Sequence, residues 1–235
     1  MPHISEGSRP VQDALDLFPT WTGNEAPLRD LQAQLARRVL LRDDFAKTLR
    51  SVAGFSVGFD NESGITRAAA VLMDAATLEV IDQQLVHLPT RMPDIPGLSG
   101  FRGVPALLAA LAALKQRPDL ALIDGQGIAH PRRFGSACHF GLAANLPTIG
   151  IGTSVLIGST RLELHAIRGA FTPLRDGAEQ IGWLLRSQPG VDPIVISPGH
   201  RVAMASAPGL AMQFTSRDRL PEPIRLADRL ASQQA

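Results

Sequence analysis

Residues 122–142, LIDGQGIAHPRRFGSACHFGL, constrain the fold of this chain more than any other stretch. An apolar strand-like lead-in at 120–123 ends in Asp124, a Gly-X-Gly turn follows, and an apolar helix-like segment begins near Phe134. A buried strand that ends in a carboxylate and turns through glycines is typical of a functional-site edge. Such a carboxylate can hold a hard metal ion, and the glycines let a ligand approach the backbone. A tight turn with a solvated acid is the alternative interpretation of the same residues.

The hydrophobic pattern on both sides of this run predicts an α/β domain with a mixed sheet, because an antiparallel start is followed by alternating strands and helices. Runs rich in β-branched and apolar residues, separated by turn residues, predict the strands. These strands are expected at 51–60, 68–73, 78–86, 120–123, 148–151, 155–157 and 194–197. Apolar residues at helical spacing predict helices at 28–44, 105–115, 134–144 and toward the end of 220–230.

Composition limits the class of protein. A chain of 235 residues with 45% hydrophobic content can bury a full core, so we expect a single domain at 28–235 after a polar extension at 1–27. The net charge of +1 gives no overall electrostatic footprint for nucleic acid. Cys138 is the single cysteine, which excludes an intramolecular disulfide, and we expect a buried, inert thiol. The chain has no apolar run of about 20 residues and no basic-plus-apolar leader, so the sequence predicts a cytoplasmic protein without membrane insertion.

Several blocks of the chain resemble, in order, the endonuclease V family of metal-dependent nucleases that cut near deaminated purines such as inosine. The similarity spans about residues 28–230 and implies a ribonuclease-H-like fold, a mixed β-sheet flanked by helices. In that fold the first strand and the strand that ends at Asp124 lie side by side. Besides the run at 122–142, the blocks are VGFD (57–60), TRAAAVL (66–72), MPDIPGLSGFR (92–102), LPTIGIG (146–152), SPGHRV (197–202) and LPEPIRLAD (220–228).

The chain departs from the family's pattern where the resemblance places chemistry. Ser56 stands where the family has an Asp, and Gly103 where it has a metal-supporting Glu. Thr153 replaces a catalytic Lys, and Asp94 replaces the Tyr that inserts beside the lesion. A serine hydroxyl is a neutral, weak ligand and glycine offers no side chain, whereas Mg²⁺ prefers carboxylate and phosphate oxygens. The departures therefore predict an impaired metal site and little nuclease turnover.

Two candidate catalytic residues keep matching positions, Asp124 and His200. The resemblance implies that His200 lies near the metal and the scissile phosphate. Asp124 is then the one expected metal ligand, and a Mg²⁺ or Mn²⁺ ion would be held weakly. Asp60 and Asp94 could replace the missing acids, but Asp60 lies about 13 Å beyond Ser56 along a strand.

The segments that the resemblance assigns to the purine pocket are kept better than the catalytic positions. Close backbone approach at such glycines would give recognition of a flipped base. Arg132 and Arg133, with Arg201 beside His200, are either a local basic patch or ordinary surface residues. His130 either braces the loop or contacts substrate, whereas His139 is expected in the core. The candidate substrate-binding residues are Gly125, Gln126, Gly127, His130, Ile95, Pro96, Gly97 and Arg132.

Three hypotheses about function stay open at this point. In the first, the chain is an endonuclease V homologue impaired in cleavage that still binds inosine-containing DNA or RNA, or a purine-like small molecule. In the second, the cleft serves other chemistry, with Asp124 and His200 as an acid/base pair. In the third, substrate phosphates complete a weak metal site and the chain is a working nuclease on inosine-containing nucleic acid. Metal-dependent cutting would support only the third.

Overall fold

The computed structural model describes residues 17–232. Within that range the chain forms eight strands and five helices. In chain order they are α1 (Ala26–Ala36), β1 (Ser51–Asp60), β2 (Ile65–Asp74), β3 (Val80–Pro89), α2 (Ser99–Ala113), β4 (Leu120–Asp124), α3 (Ser136–Ala144), β5 (Thr148–Gly152), β6 (Phe171–Asp176), β7 (Glu179–Leu185), β8 (Ile194–Pro198), α4 (Ala207–Gln213) and α5 (Glu222–Ser232).

All eight strands form one mixed sheet in the order β3-β2-β1-β4-β5-β8-β7-β6. The strands β1, β4 and β5 run parallel at its centre, and antiparallel strands continue the sheet on either side. The carboxyl ends of the three central strands therefore meet at one edge of the sheet, which is where parallel α/β sheets place their ligand sites. The sequence predicts this arrangement of a mixed sheet with flanking helices.

Helices cover both faces of the sheet. On one face, Leu122 and Ile149 pack with residues of α4, α5 and the connection between them, such as Phe214 and Ile224. On the other face, α2 and α3 pack over Phe55, Leu72 and Ile123. Alternate residues of β1 and β4 face opposite helices because side chains alternate across a strand. The face on which a residue of the central strands lies thus decides which helix it meets.

Several boundaries differ from the sequence-based expectations. The helix expected over 28–44 ends at Ala36, and α2 begins at Ser99, ahead of Pro105. The strand expected at 155–157 is wrong: the segment consists of bends, and Val155 and Leu156 are 44% and 52% exposed. Its apolar pattern comes from exposed side chains and not from a core strand. The sequence analysis did not predict β6, β7 or α4.

The N-terminal extension expected at 1–27 lies partly outside the described residues, which begin at Leu17. Leu17 is buried and its carbonyl accepts a hydrogen bond of 2.9 Å from His139 Nε2. The Phe18 ring stacks on the His139 imidazole at 4.4 Å between centroids. Residues 17 and 18 are thus anchored to α3. None of the helices between residues 17 and 232 combines the length and the apolar character that crossing a membrane requires.

Candidate nucleic-acid cleft

Ser56 and Asp124 lie side by side at the carboxyl edge of the central strands. In the parallel pairing of β1 with β4, Phe55 is opposite Ile123, so the next residue of each strand reaches the same level. The Ser56 hydroxyl donates a hydrogen bond of 2.9 Å to Asp124 Oδ2. The structure thus places Ser56 where the resemblance implies a second acid, next to the retained carboxylate.

A third polar residue, Asp228, belongs to this group and was missed by the sequence analysis. Helix α5 lies directly on β1, because a Cβ at Gly54 would be 2.1 Å from the backbone of Pro223 and one at Gly58 would be 3.0 Å from Ala231 O. Ser56 lies between those two glycines, and Asp228 lies between the two helix positions that they contact. An acid on the exposed side of an amphipathic helix looks like ordinary surface charge in a sequence, so only the packing reveals it.

The pKa of the Asp124 carboxyl is raised above its ordinary value. Burial is the main cause, and the nearby Asp228 carboxylate raises the pKa further through charge repulsion, whereas the hydrogen bond from Ser56 lowers it. A buried carboxylate beside another acid disfavours its own ionised form. The edge of the sheet therefore carries unfavourable negative charge that a bound cation or a proton would relieve.

The other positions that depart from the family pattern, Gly103, Thr153 and Asp94, place no acid or lysine next to Asp124. Gly103 faces the cleft on α2, where a Cβ would be 3.1 Å from Val57 Cγ1 and 3.5 Å from Phe59 Cζ. Thr153 is exposed and its carbonyl accepts a hydrogen bond of 2.6 Å from Arg219. Asp94 is 78% exposed and lies 3.7 Å from the Arg102 guanidinium. Asp60 accepts hydrogen bonds from the backbone N–H groups of the turn that follows β1, so neither Asp94 nor Asp60 is turned toward Asp124.

These residues do not fit a tightly held divalent ion. Across residues 17–232, His, Cys, Asp and Glu side chains nowhere form a group of three or more arranged to hold a metal. The donors near Asp124 are the neutral Ser56 hydroxyl and the exposed Asp228 carboxylate. Mg²⁺ favours near-octahedral oxygen ligation with carboxylates, waters and substrate phosphates. Asp124, predicted as a weak metal ligand, thus has one acidic neighbour where the resemblance implies two further acids.

A cleft of about 240 Å³ opens beside Asp124, between the first turns of α2 and α3. Its lining includes Gly97, Ser99, Gln126, His130 and Leu156. Neither helix has a side-chain cap at its N-terminus, and the positive ends of the two helix dipoles lie near the cleft. This electrostatic environment favours an anionic ligand such as a phosphate group.

The glycine turn after β4 is shaped by close backbone packing. Gly125 has a φ of +137°, a conformation that other residues rarely adopt. A Cβ at Gly127 would be 2.1 Å from Pro198 O, so the loop lies directly on the end of β8. The turn presents Gln126, whose Nε2 donates a hydrogen bond of 3.0 Å to Ser154 O. Within residues 17–232 its Oε1 is buried without a hydrogen-bond partner, so Gln126, which lines the cleft, carries one unpaired acceptor.

His130, Arg132 and Gly97 are brought together in one network with Gln32 of α1. His130 Nδ1 accepts a hydrogen bond of 3.2 Å from the Arg132 backbone N–H, so Nε2 carries the proton and donates to Gly97 O at 3.1 Å. Gly97 O also accepts from Gln32 and from Arg132. Burial lowers the pKa of His130 to about 4, and Arg132 adds to this shift. His130 is therefore neutral at pH 7 and braces the loop.

The structure does not bring His200 to Asp124. Asp124 pairs with Ile151 of β5, whereas His200 exchanges hydrogen bonds with Thr148 at the other end of that strand, about 10 Å away along the chain direction. Its Nδ1 accepts from the Leu40 backbone N–H at 3.3 Å. Burial lowers the pKa of His200 to about 4. The expected pairing of these two residues at one site is thus absent from the geometry.

The remaining candidate residues have structural partners. Arg133 forms ion pairs with Asp176 and Glu179, and Arg201 pairs with Asp44. Ile95 packs against a cluster that includes Leu28 of α1 and Met92 of the segment before α2, and Pro96 is exposed. Arg133 and Arg201 therefore do not form the free basic patch that the sequence left open.

The thiol and the core histidine agree with their predicted roles. Cys138 is fully buried, and burial raises the pKa of its thiol to about 12, so it stays protonated and unreactive. His139 is 1% exposed, with its pKa lowered by burial to about 4. Both residues belong to the packing of α3.

Comparison with known proteins shows which family the chain belongs to. The model of the family Endonuclease V matches residues 33–229. The protein named Endonuclease V of Azotobacter vinelandii is 55% identical over 218 residues, which cover 93% of this chain and 98% of that protein.

Solved structures share the architecture. The crystal structure of Endonuclease V from Streptomyces avermitilis has a TM-score of 0.83 and 39% identity, covering 91% of this chain and 92% of that one. Endonuclease V of Ciona intestinalis, solved with a 24mer DNA that contains an inosine followed by a ribo-adenosine, has a TM-score of 0.76 and 23% identity over 88% of this chain and 95% of that one. The ribonuclease-H-like fold predicted from the sequence is thus confirmed. By the extent of the family match and the identity to these relatives, this chain belongs to the endonuclease V family.

Proposed function

We propose that this chain binds inosine-containing DNA or RNA in the cleft beside Asp124 and has lost most or all of the family's phosphodiester cleavage. The observation that carries the proposal is the hydrogen bond from Ser56 to Asp124. Ser56 stands at the position of a metal-binding acid and offers only a neutral hydroxyl. Gly103 stands at the position of a second acid and has no side chain. Binding and chemistry are thereby separated in one cleft.

The binding half of the proposal rests on Gln126 and the two helix N-termini. A buried carbonyl oxygen without a donor costs on the order of 1–3 kcal/mol, which a ligand N–H would recover. Hypoxanthine presents an N1–H donor on its Watson–Crick edge, so the Gln126 Oε1 acceptor suits such a base. The cleft volume of about 240 Å³ is small for a drug-sized ligand and suits a single base. The helix N-termini would hold the adjoining phosphates.

The loss of cleavage follows from charge. Hydrolysis of a phosphodiester requires stabilisation of the negative charge that develops on the phosphoryl group and the leaving oxygen. Asp124 and Asp228 add negative charge at the edge of the sheet, and Thr153 has no cationic side chain. Each missing group of this kind typically costs about a hundredfold or more in rate, although such losses are not additive.

A working nuclease is the second candidate function, favoured by the Asp228 carboxylate near Asp124 and by the Endonuclease V names of the relatives. Two carboxylates with substrate phosphates can suffice for Mg²⁺ in phosphoryl-transfer sites. Repurposed acid/base chemistry by Asp124 and His200 has no such support, because these residues lie at opposite ends of β5.

The test measures binding and cleavage separately. Fluorescence anisotropy of labelled single-stranded DNA and RNA, with and without one inosine, gives affinity at two salt concentrations. The same strands with Mg²⁺ or Mn²⁺ report cutting. We expect inosine-dependent binding without cutting, a loss of the inosine preference in Gln126→Leu, and no change in the control Gln213→Leu on the exposed side of α4.

The back-substituted protein Ser56→Asp, Gly103→Glu, Thr153→Lys completes the experiment. Recovered cutting by this variant would support a cleft that kept its binding geometry and lost its chemistry. Metal-dependent cutting by the unmodified chain, abolished in Asp124→Ala, would overturn the loss of cleavage. Equal affinity for strands with and without inosine would overturn the role assigned to Gln126. Competition by free inosine would identify a purine-like small molecule as a ligand of the same cleft.

A further inference from the structure

A second cavity, of about 610 Å³, lies on the other side of α2 from the cleft. It is bounded by the segment 18–21, by the end of β3 and by the first turns of α2. Its wall is largely apolar and aromatic, formed among others by Phe18, Trp21, Leu28, Leu88, Met92 and Phe101. Ligand sites of small molecules typically have volumes of about 300–1,000 Å³ and such a lining with a few polar groups.

The charged groups of this cavity are two arginines, Arg91 and Arg102. The Arg102 side chain is only 7% exposed, and its guanidinium lies 3.9 Å from the centroid of the Phe59 ring. One terminal nitrogen donates to Asn61 Oδ1 at 2.8 Å, and the other is 3.7 Å from Asp94 Oδ1. The buried Arg102 Nε has no hydrogen-bond partner among the residues that the structure describes. An unpaired N–H on a buried cation is costly, so the site lacks an acceptor that a ligand could supply.

Arg91 is the second cation. It lines the cavity, is exposed, and forms no hydrogen bond or ion pair with the other residues of 17–232. Trp21, Arg91, Met92 and Arg102 also line an adjoining cavity of about 370 Å³, which contains Asp60. Hydrogen bonds from the following turn lower the pKa of Asp60, so this carboxylate is charged and an anionic group belongs in the larger cavity.

We propose that the larger cavity is a nucleotide seat, in which a base stacks on Trp21 and the phosphate binds Arg91 and the free Arg102 Nε–H. An aromatic platform beside a cation is the arrangement with which proteins hold single-stranded nucleotides, because every base has a π-face. The ligand is either a free mononucleotide or one unit of a strand. Neighbouring residues of α2 face the two sites, Gly103 the cleft and Arg102 the seat, so one strand could occupy both. Only the strand form rests on the function proposed above.

Tryptophan fluorescence tests the seat directly, because the chain has two tryptophans and no tyrosine. Trp183, the other indole, donates a hydrogen bond to Met204 O and packs edge-on against Phe171, away from this cavity. The Trp183→Phe variant therefore reports on Trp21 alone, and Trp21→Phe is its matched control. Adenosine monophosphate and an eight-residue deoxyadenosine strand are the probes, each titrated with excitation of the indole.

We expect both probes to quench the emission in Trp183→Phe and to leave Trp21→Phe unchanged. Adding Arg91→Gln to Trp183→Phe should weaken the quenching constant by about tenfold, equivalent to about 1.4 kcal/mol, whereas the exposed control Arg42→Gln should not. Quenching by the strand alone would limit the seat to polynucleotides. Constant Trp21 emission up to millimolar concentrations of both probes would overturn the proposal. If inosine-containing strands then still bind by anisotropy, the seat fails and the cleft stands. If the monophosphate quenches Trp21 but inosine-containing strands do not bind by anisotropy, the seat stands and the cleft function fails.

Discussion

The Ser56 hydroxyl donates a hydrogen bond of 2.9 Å to Asp124 Oδ2 across the two central parallel strands. Ser56 is 1% exposed, so the donor is sheltered from water and its bond to a carboxylate is stronger than a neutral one. Burial and Asp228 nevertheless keep the pKa of Asp124 above its ordinary value. One hydroxyl therefore offsets only part of the cost of a charge that a cation site would neutralise fully.

Replacing Asp124 by asparagine should stabilise the fold at pH 7. A carboxyl whose pKa is raised in the folded state destabilises the fold when ionised, so its contribution is most favourable below the unfolded value of 3.8 and is lost as pH rises through the folded value. The asparagine amide would keep an acceptor for Ser56 and carry no charge. For a domain of this size, each 1 kcal/mol gained raises the Tm by about 2–4 °C.

Calorimetry at pH 7 and pH 3 checks the sign of this effect. The Tm difference between Asp124→Asn and the unmodified chain should be positive at pH 7 and should shrink toward zero at pH 3. A variant with a lower Tm than the unmodified chain at pH 7 would mean that the Asp124 charge is compensated in the fold. Asp228→Asn should give a smaller stabilisation, because it removes only the repulsion.

Restoring the acids should restore cation binding, measured without any cleavage assay. Ser56→Asp places a new carboxylate against Asp124, in addition to Asp228, and Gly103→Glu adds another if Val57 moves by a few tenths of an ångström. Without metal this double variant should be less stable than the unmodified chain, because like charges meet in a partly buried site.

Addition of Mn²⁺ should then raise the Tm of the double variant by several degrees, since a ligand that binds only the folded state stabilises it in proportion to the logarithm of its concentration. The unmodified chain should shift by less than about 1 °C under the same conditions, well below the effect of 1 kcal/mol. Equal shifts in both proteins would show that Asp124 and Asp228 already form a competent site.

The fold was largely predictable because the strands and helices are marked by patterns in short stretches of the sequence. The run that ends in Asp124 and the ten residues of β1 carry their own strand pattern, and their bounds match the structure closely. The failures also have local causes: exposed Val155 and Leu156 imitate a strand, and Val39 continues the helical spacing of apolar residues past the end of α1 at Ala36. The spacing of apolar residues predicts an element correctly where those residues are buried, and it gives a wrong prediction where they are exposed.

The site was less predictable, because it depends on which elements meet. Asp228 reaches Asp124 only because Gly54 and Gly58 let α5 lie on β1, a relationship that no spacing in the sequence reveals. His200 matched the expected motif, yet the antiparallel direction of β8 places it at the far end of β5. The departures at Ser56 and Gly103 were visible from the resemblance, whereas their surroundings required the structure.

Adding a methyl group to the glycine turn should disrupt the cleft and the fold. In Gly127→Ala the new Cβ would be 2.1 Å from Pro198 O, a backbone atom that cannot move without breaking the end of β8. We expect a loss of more than about 3 kcal/mol of unfolding free energy, in the range of severe core mutations.

The control Gly209→Ala lies in α4 with no atom within 4 Å of the new Cβ and should be neutral or stabilising by up to about 1 kcal/mol. Urea denaturation followed by circular dichroism measures both, and equal midpoints would contradict the packing of the turn on β8.

Acid should weaken this protein well before its carboxylates protonate. Burial lowers the pKa of His130, His139 and His200 to about 4, below the ordinary value of 6.5, so the unfolded chain binds more protons between these two values. The stability from the three neutral imidazoles is complete above about pH 6.5 and is lost as pH falls toward 4, with a limiting slope of about 1.4 kcal/mol per pH unit for each proton. Urea unfolding at pH 7, 6 and 5 gives the dependence of the unfolding free energy on pH.

In His139→Phe, which keeps a ring for stacking on Phe18, this slope should fall by up to about 1.4 kcal/mol per pH unit, the contribution of one proton. His165→Phe, a change of a histidine on the protein surface, should leave the slope as it is. A pH-independent stability in the unmodified chain would mean that all three buried histidines can be protonated without unfolding.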